Sequence, residues 1–180
     1  MFKVFSDEAI VLARRNFSEA DRILSVYSKS HGRISLIAKG VRRPKSRKRG
    51  HIEVFNIIKF QAANGHTLDI VTEAEIITHY KKIRKSLKKV SLAYYICEVI
   101  GKITKEGEEN KKLFELIKDT LDNLEVQSEL KLLRKEFLSE LLVLLGYWPK
   151  GRPLENPDGV LEEVVERQIN SIRVGKRVLE

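Results

Sequence analysis

Apolar and polar residues alternate in short runs over the first seventy or so positions, a period of two that is typical of β-strands. The third run shows it best, because Ile34, Leu36 and Ala38 fall on one face. The pair Asn64-Gly65 favours a tight type I′ hairpin between the last two runs. The pattern therefore predicts strands within residues 9–13, 22–27, 33–39, 53–61 and 68–72.

From Ser86 onward the apolar positions recur at helical spacing. The first helix is expected to bury a face made of Leu87, Val90, Ala93, Tyr94, Cys97 and Ile100. A second amphipathic pattern spans residues 113–124, and a third, ended by Gly146, spans residues 130–145. Residues 149–159 are rich in Gly and Pro and predict a loop, and residues 161–172 predict a final short helix.

This order of elements predicts an α+β protein of two domains. Residues 1–80 form a five-stranded β-barrel, for which an OB-fold is favoured over an SH3-like barrel, and residues 81–180 form an all-α helical domain. The boundary is expected near residues 79–86, without a flexible linker.

Positive charge is concentrated in the predicted barrel. Residues 1–85 contain 18 Lys or Arg against 8 Asp or Glu, whereas residues 86–180 contain 16 against 17. A one-sided positive field attracts polyanions, so nucleic acid or an anionic membrane surface is the expected partner. No apolar run approaches the roughly 18 to 20 residues of a membrane span, and no signal peptide is evident. The prediction is a cytoplasmic protein.

The strongest single feature is a basic loop at residues 39–50, with seven cations and no acidic residue between two predicted strands. Guanidinium and ammonium groups suit phosphate oxygens, so the loop predicts a nucleic-acid-binding site. The predicted contacts are Lys39, Arg42, Arg43, Lys45, Arg47, Lys48 and Arg49, extended by Arg14, Arg15 and Arg33. The alternative is a solvated, disordered loop.

A single-strand binder also needs aromatic rings on which bases stack. The candidates are Phe17, Tyr27, Phe55 and Phe60, of which Phe60 is expected in the core. Catalytic patterns are missing: the four histidines lack the spacing of a zinc protease, and there is no Gly-rich phosphate cradle or nucleophile elbow. The chain is therefore expected to perform no catalysis and to hold no cofactor.

Several short motifs resemble the RecO family in order along the chain. They are residues 8–12 (EAIVL), 18–22 (SEADR), 31–35 (HGRIS), 38–47 (AKGVRRPKSR), 72–75 (TEAE) and 144–149 (LLGYWP). The resemblance covers essentially the whole chain, and it is most specific over the first forty-seven residues.

The resemblance implies an OB-fold joined to a helical domain, binding both single- and double-stranded DNA in DNA repair. Such proteins anneal complementary strands and, with RecR, help RecA to load onto DNA covered by single-stranded-DNA-binding protein. In the family the barrel contacts RecR, and the helical domain receives the acidic C-terminal tail of the single-strand binder. Candidate tail contacts here are Lys131, Arg134 and Lys135, with a solvated helix face as the alternative.

One departure from the family concerns metal. Many RecO proteins carry a four-cysteine zinc module after the segment that matches residues 145–149, whereas residues 150–159 contain no cysteine and Cys97 is the single cysteine of the chain. No zinc is therefore predicted. The expected location is the cytoplasm, in association with the nucleoid. An RNA-binding or ribosome-associated OB-fold protein is the alternative function, because phosphate contacts alone do not distinguish RNA from DNA.

Overall fold

A computed structural model describes residues 4–165. Five strands come first and helices follow, as the change of period predicts. The strands are β1 (Val4–Phe17), β2 (Asp21–Ser28), β3 (Gly32–Ala38), β4 (Ile57–Ala63) and β5 (Asp69–Thr78). The helices are α1 (Lys81–Arg84), α2 (Leu87–Ile103), α3 (Lys111–Val126), α4 (Leu130–Leu144) and α5 (Pro157–Val164).

The strands close into a barrel in the order β1-β2-β3-β5-β4. Closure depends on β1, which is long enough to pair with two neighbours: its first half pairs with β4 and its second half with β2. A register shift between Val11 and Ala13 separates the two halves. A short parallel pairing of β3 with β5 closes the other side. Inward-facing apolar residues such as Leu24, Val26 and Phe60 fill the interior.

Of the described residues, the barrel unit contains residues 4–79 together with Thr104–Phe114. Within this unit, Arg33 forms a β-bridge with Glu106, and its carbonyl accepts a hydrogen bond from the Gly107 amide at 2.8 Å. The segment 104–114 thus adds to β3 at the end where β5 does not pair with it. The boundary expected at residue 80 assigns this segment to the helical domain, whereas the contacts place it in the barrel unit.

Of the described residues, the helical unit contains Tyr80–Ile103 and residues 115–165. Helix α4 has the expected buried face, including Leu133, Phe137 and Leu141, and it ends before Gly146, whose φ of 81° is a left-handed conformation that favours glycine. No helix of residues 4–165 is long and apolar enough to cross a membrane.

The expected buried face of α2 is wrong at two positions. Leu87 is 77% exposed and Tyr94 is 47% exposed, whereas Leu92, Tyr95 and Ile96 are buried. This helix is apolar around most of its circumference, so sequence spacing from Leu87 did not identify the side that packs. The predicted loop is also too long, because α5 begins at Pro157, with the Asn156 side chain accepting a hydrogen bond from the Gly159 amide at 3.0 Å.

The predicted type I′ turn at Asn64-Gly65 is also wrong. Residues 64–68 join β4 to β5, and Gly65 is not in the left-handed region. Glycine is needed there for space, because a Cβ atom would lie 2.0 Å from the Leu68 carbonyl oxygen. Of the predicted final helix, residues 166–172 lie outside the described residues.

Candidate nucleic-acid interface

The basic loop belongs to a longer connection, residues 39–56, that runs through successive turns between β3 and β4. Its start is fixed to the β1–β2 turn: the Gly40 amide donates to Asp21 Oδ1 at 2.7 Å, and the Arg42 amide donates to the Ala20 carbonyl at 2.9 Å. Val41 and Ile52 are fully buried in the barrel core. The basic loop is therefore a folded part of the barrel, contrary to the disordered alternative.

The far end of the connection is held equally firmly. The Phe55 amide donates to the Val11 carbonyl at 2.7 Å, and the buried Asn56 side chain donates to the His51 carbonyl at 2.9 Å. Phe55 adopts a positive φ of 56°, which is unfavourable for a residue with a side chain. The surrounding hydrogen bonds stabilise this conformation, and they fix where the basic loop returns to the barrel.

The seven cations of the basic loop divide into two groups. Two of them are half-buried and bind backbone: Arg42 NH1 donates to the Ser18 carbonyl at 3.1 Å, and Lys48 Nζ donates to the Val71 carbonyl at 3.0 Å. The other five are exposed, namely Lys39, Arg43, Lys45, Arg47 and Arg49. Within residues 4–165, no hydrogen bond joins these five side chains to a backbone atom. They are therefore the cations that are available to an anionic ligand.

A loop cleft of about 710 Å³ lies between the basic loop and β5. Four cations line it on the loop side, namely Arg43, Lys45, Arg47 and Lys48. Two carboxylates, Glu73 and Glu75, line it on the strand side. The cations outnumber the carboxylates, so the cleft attracts anions, and the carboxylates disfavour phosphate close to β5.

Four arginines of the barrel unit form an arginine cluster, namely Arg14, Arg22, Arg42 and Arg49. Arg22 Nε donates to Asn16 Oδ1 at 3.2 Å, and its NH1 atom is buried without a hydrogen-bond partner. Burial lowers the pKa of Arg22, as do the charges of Arg14, Arg49 and Arg42, against the opposing effect of Glu53. Arg22 is not among the site residues predicted from the sequence. The register that pairs it with Asn16, two residues from Arg14, brings it into this cluster, and no local sequence pattern signals that register.

Two of the predicted contacts serve the fold. Arg14 NH1 lies 2.6 Å from Glu53 Oε1, so its charge is compensated. Arg33 Nε donates to the Thr104 carbonyl at 3.1 Å and holds the 104–114 segment. Arg33 is the second residue of β3, and the basic loop follows the other end of this strand, about 20 Å away along an extended chain. Arg33 therefore contacts the 104–114 segment, and a role for it in extending the basic patch stays a prediction.

Arg15 and Lys39 are both exposed and line a different feature, a barrel groove of about 850 Å³. Of the four aromatic candidates for base stacking, Tyr27, Phe55 and Phe60 are buried. Phe17 lines the barrel groove and is 48% exposed. Only one of the four rings is therefore available to a ligand.

In the helical unit, the three candidate tail contacts differ from one another. Lys131 and Lys135 are exposed on α4. Arg134 is only 12% exposed, forms an ion pair with Asp158, and lies with its guanidinium 4.7 Å from the centre of the Tyr95 ring. Arg134 is thus part of the packing of the helical unit.

A Ser, His and Asp group lies on the barrel unit, where β2 turns into β3. His31 Nδ1 lies 3.1 Å from Asp7 Oδ2, and Ser28 Oγ lies 3.3 Å from the same ring nitrogen. A catalytic triad uses both ring nitrogens, one for the serine and one for the carboxylate, so this arrangement is not a triad. The Asp7 carboxylate instead accepts hydrogen bonds from Ser28 and Ser30 and fixes the turn. Within residues 4–165, no group of three or more His, Cys, Asp or Glu side chains could hold a metal ion.

Comparisons with known proteins agree over both units. The profile of the family described as "Recombination protein O N terminal" matches residues 1–80, and that of "Recombination protein O C terminal" matches residues 84–151. The chain is 38% identical over 147 residues to the DNA repair protein RecO of Pelotomaculum thermopropionicum, covering 82% of this chain and 57% of that protein. It is 32% identical over 165 residues to the RecO of Roseiflexus sp., covering 92% and 58%. The chain thus spans less than two thirds of the length of these relatives.

Proposed function

Since this chain belongs to the RecO family of DNA repair proteins, we propose that it is a DNA-binding recombination mediator that makes and breaks no covalent bonds. In this proposal it binds single- and double-stranded DNA and anneals complementary strands. Together with RecR, which contacts the barrel, it assists the loading of RecA onto DNA covered by single-stranded-DNA-binding protein.

We assign the barrel unit to the OB-fold as part of this proposal. The supporting observations are the five strands, the closed order β1-β2-β3-β5-β4, and the parallel β3–β5 pair that completes closure. An OB-fold binds nucleic acid on the face of β2 and β3 and through the β1–β2 and β4–β5 connections. The barrel groove has this lining, since Ile23 of β2, Ile37 of β3 and residues 64–68 of the β4–β5 connection line it, and the basic loop follows the end of β3.

The observation that carries the proposal is the fixed backbone of the basic loop beneath exposed cations. Anchored residues such as Val41 and Ile52 hold the loop in place, while Arg43, Lys45 and Arg47 stay in solvent. Counterions released from the phosphates provide the binding free energy, and little conformational entropy is lost because the backbone is already ordered. Annealing needs no catalytic group, because neutralised phosphates allow two strands to approach.

We also propose that α4 receives the acidic tail of the single-strand binder through Lys131 and Lys135. Leu132 lies between them in sequence and is 54% exposed, so an apolar side chain of the tail would find a contact beside the two ammonium groups. Arg134 is left out of this site because Asp158 already compensates its charge.

The test of the DNA-binding site is a triple variant, Arg43→Ala with Lys45→Ala and Arg47→Ala. We expect affinity for DNA at moderate salt to fall about tenfold or more, and the slope of log K against log salt to decrease by about 2 to 3. Annealing of oligonucleotides coated with the single-strand binder should fail in parallel. The charge-matched control replaces Lys59, Lys88 and Lys112, which are exposed elsewhere, with Ala.

Three outcomes distinguish the proposed DNA-binding site from a general effect of net charge and from RNA binding. Loss of binding and annealing in the loop variant alone supports the proposal. Equal loss in both variants would show that net charge matters and that the basic loop is not a site. Tight binding of RNA, with no annealing of DNA by the wild-type protein, would favour the RNA-binding alternative.

A further inference from the structure

The basic loop contains one hydroxyl side chain, Ser46, among its seven cations. Ser46 is half-buried and lines the loop cleft on the same side as four of these cations. Within residues 4–165, Ser46 Oγ takes part in no hydrogen bond. By contrast, the Thr72 hydroxyl on the opposite side of the cleft donates to the Gln61 carbonyl at 3.1 Å. The fold therefore makes no use of the Ser46 hydroxyl, which is available for chemistry.

Ser46 lies in the least anchored part of the basic loop, residues 43–47, which we call the loop tip. On either side of the tip, Arg42 and Lys48 donate hydrogen bonds to carbonyl groups of the barrel. Among the hydrogen bonds of residues 4–165, the amides of the tip donate only to carbonyls three positions earlier, as from Ser46 to Arg43 at 3.0 Å. The tip can therefore straighten into the cleft of an enzyme while the two ends of the loop stay bound.

The charges around Ser46 match the substrates of protein kinases that select for arginine. Arg43 lies three positions before Ser46 and Arg42 four positions before it, and residues 39–50 contain no acidic residue. Such kinases choose their substrates largely by charge, because carboxylates of the enzyme face cations of the substrate. The loop tip thus combines an unused hydroxyl, an accessible backbone and the charge pattern of a kinase substrate.

The loop cleft also suits the product, a phosphoserine. A phosphoserine carries a charge of about −1.5 to −2 at neutral pH and accepts hydrogen bonds through three oxygens. Arg43 and Arg47 line the cleft on the side of Ser46 and suit these oxygens, whereas Glu73 and Glu75 line the strand side and repel them. A phosphate on Ser46 therefore neutralises cations that the proposed function assigns to DNA.

From these observations we infer that Ser46 is a phosphorylation site, and that its phosphorylation switches off DNA binding by the basic loop. A protein kinase transfers the γ-phosphoryl group of ATP to Ser46 Oγ. The bond between this group and ADP breaks, the Oγ–P bond forms, the hydroxyl proton passes to the catalytic base of the kinase, and ADP leaves. The inference rests on the proposed function, because a loss of DNA affinity presupposes that DNA binds these cations.

The first test treats the full chain with an arginine-selective serine/threonine kinase and ATP, and locates the phosphate by mass spectrometry. We expect phosphate on Ser46 of the wild-type protein, and none on the corresponding peptide of Ser46→Ala. Ser128 is the internal control, because it is exposed and lies outside the helices, but no cation occupies the three positions before it. A wild-type protein without phosphate on Ser46 would overturn the assignment of the site.

The second test measures DNA affinity after phosphoserine is incorporated during translation. We expect Ser46→phosphoserine to weaken binding of an oligonucleotide about tenfold at moderate salt, and to lower the slope of log K against log salt by about 2, because the phosphate offsets about two cations. Ser128→phosphoserine adds the same charge to the helical unit and should change the affinity by less than about twofold.

The outcomes of the second test are distinct. Unchanged affinity after Ser46→phosphoserine, or equal weakening by both phosphoserines, would show that Ser46 does not switch the basic loop. Failure of the unphosphorylated wild-type protein to bind DNA would instead overturn the proposed function.

Discussion

The basic loop of the barrel and helix α4 of the helical unit both place several cations within a few residues, yet the cations differ in their surroundings. In the loop, Arg43 and Arg47 are exposed above an anchored backbone. In α4, Arg134 is mostly covered, lies over the ring of Tyr95 and is paired with Asp158. A cation with a nearby carboxylate stabilises the fold, and a cation left in solvent is available to a ligand. The difference lies in the partner, and a count of charges does not reveal it.

The largest expected effect is on α4, from Arg134→Ala. Removing the guanidinium leaves the mostly buried Asp158 carboxylate without its partner, so we expect the free energy of unfolding to fall by about 3 kcal/mol. Chemical denaturation followed by circular dichroism measures this loss. The control, Lys131→Ala with Lys135→Ala, should leave stability within about 0.5 kcal/mol and weaken binding of an acidic tail peptide. Equal stability of the two variants would mean that Arg134 contributes no more to the free energy of unfolding than Lys131 and Lys135 do.

The second-largest effect concerns Arg33, another cation whose contacts stabilise the fold. These contacts are tested by substituting the neighbouring residue, Gly32. Gly32 has a φ of 64°, and a Cβ atom there would lie 2.0 Å from the Glu108 carbonyl oxygen. Gly32→Ala should therefore displace the 104–114 segment and cost about 2 kcal/mol or more, from backbone strain and the clash together. Hydrogen exchange of the Gly107 amide, which donates to Arg33, reports the displacement directly.

Gly107→Ala separates the two contributions. Gly107 also has a left-handed φ, 78°, but open space surrounds the Cβ position. It should cost only the conformational strain, about 1 kcal/mol. If Gly32→Ala costs no more than Gly107→Ala, the contact with the 104–114 segment contributes little to the barrel.

The positions of the strands and helices could be predicted from the sequence because a buried face imposes its period on the residues that form it. The five strands and the face of α4 were identified in this way. Turn geometry was harder: Asn64-Gly65 matched a type I′ signal, but Gly65 is required by the nearby Leu68 carbonyl, which no local pattern reveals.

The candidate site could be predicted only in part, for a related reason. The basic loop is contiguous in sequence and was identified as a unit. The residues that bind the other cations are distant in sequence: Glu53 is 39 residues from Arg14, and Thr104 is 71 residues from Arg33. A pattern confined to neighbours in the chain cannot separate paired arginines from free ones. For the same reason Arg22, whose neighbours in the cluster come from β1 and the connection after β3, was missed.

The smallest expected effect concerns a carboxylate, Asp7, whose hydrogen bonds stabilise the fold. Burial acts to raise the pKa of Asp7, but hydrogen bonds from Ser28, Ser30, Glu8 and His31 outweigh it and hold the pKa below the ordinary value of 3.8. A carboxyl whose pKa is lower in the folded state stabilises the fold above the unfolded pKa and loses that contribution as the pH falls. Asp7→Asn should thus cost about 1 kcal/mol at neutral pH, and the difference from wild type should shrink below about pH 4. Glu8→Gln is the matched control, because the Glu8 carboxylate is 47% exposed and lies 3.9 Å from Lys29 Nζ. A difference for Asp7→Asn that stays constant down to pH 2 would show that the turn depends on the shape of the side chain and not on its charge.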